Sequence, residues 1–92
     1  MKEISDALPG AELVRRGIED LSRGEDSAEA LLVSIGASRL RSAGLEVPRS
    51  LLDPEHRLYL LLVRLHGDDA HSQYNALIRR LVSFESALEC GN

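Results

Sequence analysis

The chain has no threonine, no tryptophan and a single lysine, Lys2. Valine and isoleucine are sparse beside leucine. β-branched and aromatic residues suit strands, so their scarcity argues for helices. Tyr59, Tyr74 and Phe84 are the only aromatic residues, which leaves leucine and alanine to fill a core. One cysteine, Cys90, excludes an internal disulfide and fits a reducing compartment. No stretch approaches the ~20 apolar residues of a membrane span. The N-terminus lacks the basic-then-apolar pattern of a signal peptide, so the expected location is the cytoplasm. The seven glycines are scattered as helix stops and make no phosphate loop. No histidine stands beside a serine or cysteine in a nucleophile arrangement. No catalytic, cofactor-binding or metal-binding residue is therefore assigned.

What is present is a 92-residue chain of net charge −4, with acids and bases interspersed. That length predicts one domain of modest stability. The charge balance predicts solubility and no general attraction to nucleic acid or anionic lipid. Ten of the eleven basic residues are arginine, as in a GC-rich coding genome, and the expected source is bacterial.

Periodicity and caps predict an all-α fold, a small four-helix bundle with helices over about 9–23, 27–43 with a break near Gly36, 54–66 and 69–90. Residues 1–8 read as a loosely ordered arm, with Pro9 opening the first helix. That helix is one-sided: Leu13, Val14, Ile18 and Leu21 share an arc with Gly17, a residue that permits close approach of another helix. Asp26 or Ser27 caps the second helix, with Glu29 at the capping-box position. Its inner face is Ala28, Leu31, Leu32 and Ile35.

The connector 45–52 is too apolar for a free linker and should lie against the bundle. Asp53 and Pro54 read as an N-cap and first helical residue of the third helix. Leu58 to Leu65 is the most apolar stretch of the chain, interrupted by Arg64 alone, and reads as the enclosed central rod. The glycine turn at Gly67 then makes a C-terminal helical hairpin, with Asp68 or Asp69 capping the last helix.

Tyr74, Leu77, Leu81, Phe84 and Leu88 form a heptad seam on that helix. Because the helix before it is shorter, its final turns overrun the hairpin, and Val82, Phe84 and Leu88 need another surface: the 45–52 loop and the first helix, or a second copy of the chain. Ser72, Ala76, Ser83 and Ala87 line its other side with small residues. Glu85 falls inside the apolar arc, near Arg49 in the hairpin register. The leading expectation is a non-catalytic protein that acts by protein–protein interaction, as a homodimer through Ala76, Val82, Ser83, Phe84, Glu85, Ala87 and Leu88.

Two alternatives remain open. Arg39, Arg41 and Arg49 could form a patch for nucleic acid, although no aromatics are interleaved and no basic recognition helix is found. His66, Asp68, Asp69 and His71 cluster at the hairpin turn and are residue types that ligate metals, without the spacing of a metal motif. His66, Asp69 and His71 are the best polar centre for an enzyme. The spacings Arg64–His71 and Arg49–His56 resemble that of helical HEPN-type ribonucleases. Two matches among ten arginines make the pattern unspecific, and the Gly67 turn interrupts the first.

Overall fold

The computed structural model describes residues 4–90, which are helical throughout their regular parts, with no strand. The helices are α1 (Ala11–Ser22), α2 (Ala28–Ile35), α3 (Ala37–Ser42), α4 (Pro54–His66) and α5 (Ala70–Cys90). A turn of 3-10 helix, Gly67–Asp69, joins the last two. Among the described residues, no helix is long and apolar enough to cross a membrane.

The residue that starts α1 is Ala11, not Pro9. Gly10 precedes it with φ 77°, a left-handed conformation that glycine adopts at little cost. The chain before it is tied down: Leu8 donates to Ser5 and Ala11 to Leu8. Arg15 reaches back to the Ile4 carbonyl and pairs with Asp6. The expected loose arm is thus pinned over 4–8, while residues 1–3 of it lie outside the described residues.

Between α1 and α2, a short relay sets the second helix start. The Ser27 side chain accepts from the Ala30 amide and donates its hydroxyl to the buried Asp20 carboxylate. Asp20 is also held by Arg23 at 2.7 Å. Hydrogen bonding from Ser27 pulls the Asp20 carboxyl below its ordinary range, against the opposing effect of its burial. Ser27, rather than Asp26, is the cap.

The enclosed helix is α2, not α4. Ala30, Leu31, Leu32, Val33 and Ser34 are buried one after another, and α2 packs against α1, α4 and α5. A helix surrounded on so many sides needs mostly apolar side chains, and in this one only Glu29 and Ser34 are polar. Gly17 brings α1 very close: a Cβ there would lie 2.4 Å from both the Glu29 carbonyl oxygen and Val33 Cγ2. Gly36 ends α2, and α3 continues after it, as the sequence predicts.

The 45–52 connector does lie on the core. Leu45, Val47 and Leu51 are buried, and the Leu51 amide donates to the buried Ser34 hydroxyl at 2.9 Å. Arg41 clamps the Val47 carbonyl with two guanidinium nitrogens.

In α4 only Leu58 and Leu62 are buried. Its first residue is Pro54, as expected, but Asp53 makes no side-chain cap; it turns the chain with φ 50°. Asp68 and Asp69 do not cap α5 either, because the 3-10 turn runs straight into it and Asp69 accepts from Gln73. The Tyr59 and Tyr74 rings meet edge to face, with centroids 5.8 Å apart, and link α4 to α5.

Candidate functional site

The final turns of α5 are where the sequence places an interface, and the structure covers them from within. Phe84 is 0% exposed, and Leu88 and Glu85 are buried with it. The expected homodimer surface is therefore corrected for these three residues, which the fold itself occupies. The cause is two glycines on other segments. A Cβ on Gly10 would lie 2.8 Å from the Arg80 carbonyl oxygen and 3.4 Å from Phe84 Cβ. A Cβ on Gly36 would lie 3.2 Å from both Leu81 methyls. Lacking these methylenes, the N-terminal segment and the α2–α3 break close onto α5. Of the remaining predicted residues, Val82 and Ser83 are exposed, and Ala76 and Ala87 are half-buried.

Glu85 does not meet Arg49. Its nearest cation is Arg39, at 3.7 Å, and it receives no hydrogen bond from any of the described residues. Burial pushes its carboxyl above the ordinary range; Arg39 opposes this and Glu89 adds to it. Glu85 lies with Ile35, Gly36, Arg39, Ile78, Leu81 and Val82 on a cleft of about 380 Å³.

The arginine patch is also redistributed. Arg39 points to Glu85, Arg41 binds the Val47 carbonyl, and Arg49 donates to the Leu21 carbonyl and pairs with Asp26. Each arginine fastens a different pair of segments, so the three present no joint cationic surface. Arg57 also closes on Asp26, at 2.8 Å. Arg64, Arg79 and Arg80 are the described arginines with no ion pair or hydrogen bond. Arg79 and Arg80 border a second cleft of about 330 Å³, with Pro9, Gly10, Ala76 and Ser83.

The 66–71 cluster is drawn apart by local contacts. Asp69 accepts from Gln73, and the His71 ring meets the Asn75 amide, each within its own helical turn. Among the described residues, no three metal-ligating side chains converge.

The site that sequence reasoning missed is the outward face of α4. Tyr59, Leu60 and Val63 are 38%, 48% and 41% exposed. At 100° per residue they share one arc with His56. Leu60 also borders a third cleft, of about 310 Å³, between Leu31, Leu61, Arg57 and Arg64. The signal was in plain view, because a helix apolar over most of its surface is either enclosed or presenting a face, and the sequence offers two such stretches, in α2 and in α4. Only α2 has neighbours enough to be enclosed.

No family model, curated protein or solved structure matches the chain. Its class is accordingly the one its fold defines: a small all-helical protein.

Proposed function

We propose that this is a non-catalytic interaction protein that pairs with a second copy of itself through α4. In this reading α2 and α3 are one broken helix of a four-helix bundle, and α4 and α5 are its hairpin arm. The observation that carries the reading is the exposed arc Tyr59, Leu60 and Val63 on successive turns. Exposed apolar residues grouped this way mark interaction surfaces more often than residues scattered singly. Tyr59 is already held by its edge contact with Tyr74, so ordering it on binding costs little entropy.

The occupant follows from the spacing. His56, Tyr59, Leu60 and Val63 are symmetric about the midpoint between Tyr59 and Leu60. Two copies of α4 crossing antiparallel on a two-fold axis would set Tyr59 against the partner copy's Leu60, and His56 against its Val63. Such a patch is self-complementary, as an isologous interface requires. Sedimentation equilibrium tests this. The wild-type chain is expected as a dimer and the Leu60→Asp variant as a folded monomer. A wild-type monomer at concentrations of tens of micromolar, about the range of a weak dimer, would overturn the self-pairing.

A further inference from the structure

The cleft between the α2–α3 break and α5 is bordered by a carboxylate whose one partner among the described residues is an exposed arginine. Glu85 is 5% exposed, yet none of the described residues donates a hydrogen bond to it. Arg39 stands 3.7 Å away, beyond hydrogen-bond length, and its side chain is 72% exposed. An ion pair with so exposed a partner contributes little, whereas burying a carboxylate is costly.

Gly36 makes the burial possible. A Cβ at that position would lie 2.5 Å from Glu85 Oε2, so any other residue would push the carboxylate out. The Gly36 amide does not serve the carboxylate, because it donates to the Val33 carbonyl. Oε2 thus rests against the chain break and accepts no hydrogen bond from the described residues. Among the described residues no fully buried side-chain oxygen lacks a partner, so the Glu85 carboxylate opens to solvent in the cleft, and a carboxylate bordering a cleft is a candidate for binding.

The surroundings define what would match it. The charged neighbours of Glu85 are Arg39 and Glu89, so with Glu85 itself the locality carries one net negative charge. The walls are aliphatic: Ile35, Ile78, Leu81 and Val82. The volume of about 380 Å³ accepts a slender chain.

We infer that this cleft binds the cationic end of a short aliphatic chain, an alkylammonium or alkylguanidinium, with Glu85 as its acceptor. The methylenes lie along Ile35, Ile78, Leu81 and Val82, and the nitrogen donates to Glu85. Arg39 at the mouth competes with the ligand for the same carboxylate. The site includes no residue of α4 and does not depend on self-pairing.

The test is methyl NMR of the full chain, following Ile35, Ile78 and Val82, titrated with n-butylammonium at slightly alkaline pH. The uncharged isostere n-butanol is the control, and N-acetyl-lysine amide stands for a side chain of another protein. Saturable shifts with butylammonium, weakened at least ~tenfold in Glu85→Gln, are expected, since one charge-assisted hydrogen bond is lost. Arg39→Met is expected to tighten binding, a gain that damage to the fold would not produce. Tighter binding of butylammonium assigns the site to a free amine. Tighter binding of the lysine amide assigns it to a polypeptide side chain. Equal binding of n-butanol, equal binding by Glu85→Gln, weaker binding by Arg39→Met, or no saturation would overturn the proposal.

Discussion

Gly17 and Glu29 meet so closely that α1 and α2 have no room for a methyl group between them. A Cβ on Gly17 would lie 2.4 Å from the Glu29 carbonyl oxygen, an atom fixed within a helix. Helix propensity alone says that Gly17→Ala should stabilise α1 by ~1 kcal/mol. Packing predicts the reverse, because the two helices must be forced apart. The expected result is a loss of about 2–3 kcal/mol in urea unfolding, as for other overpacked cores. A gain in stability would show that α1 and α2 are not in contact at this point.

Two buried carboxylates should give opposite pH signatures. Asp20 has its pKa lowered by Ser27 and Arg23, so its contribution is present above the unfolded-state pKa and is lost as pH falls through the folded value. Glu85 has its pKa raised by burial, so the wild type loses stability as pH rises through the folded value. Asp20→Asn is therefore expected to destabilise the chain at neutral pH, by about 1–2 kcal/mol for the disturbed cap, with a smaller deficit in acid. Glu85→Gln is expected to stabilise it at neutral pH and to lose that advantage in acid. Thermal unfolding across the acid-to-neutral range checks both, and parallel trends in the two variants would refute the assignment.

Phe84 and Leu60 separate folding from association. Phe84 is fully buried, so Phe84→Ala should cost about 3–5 kcal/mol of stability. Leu60 is half exposed, and Leu60→Asp should change sedimentation mass while leaving the unfolding free energy of the monomer within ~0.5 kcal/mol of that of the wild-type fold. The reverse pattern, with Phe84→Ala changing mass and Leu60→Asp unfolding the chain, would return the interface to α5.

Ser34 ties the 45–52 connector to the middle of the molecule. Its hydroxyl accepts from the Leu51 amide and donates to the Ala30 carbonyl. Ser34→Ala leaves a buried amide without a partner, which costs about 1–3 kcal/mol. Hydrogen exchange should be slowest in α2, and in this variant the Leu51 amide should exchange faster. Slower exchange across Leu58–Leu65 than across α2 would contradict the burial described above.

Much of the local structure was legible from residue types. Glycine and proline mark the break at Gly36, the turn at Gly67 and the start of α4, because each fixes the backbone by its own geometry. Gly17 announced a close contact, and the apolar connector announced its own burial. The centre of the molecule was not legible. Leu58–Leu65 and Leu31–Ile35 are each apolar but for one residue, Arg64 and Ser34, and periodicity cannot say which of two such helices lies inside. Leu58–Leu65 is the longer run, yet the shorter one touches three neighbours. The Glu85 partner was missed for a similar reason: hairpin register extends α4 backwards in a straight line, whereas the chain before Pro54 bends away at Asp53.

The Gly67 turn is the one connection that the rest of the molecule leaves alone, with open space around its Cβ position. Every other described connection is stitched down, by Ser27 and Asp20, by Gly36 against Leu81, or by Ser34 and Leu51. Additional sequence, whether acquired naturally or grafted as a reporter, is accommodated between His66 and Asp68 with least disturbance. The same inserted between Ala28 and Ile35 would divide the rod on which α1, α4 and α5 lean.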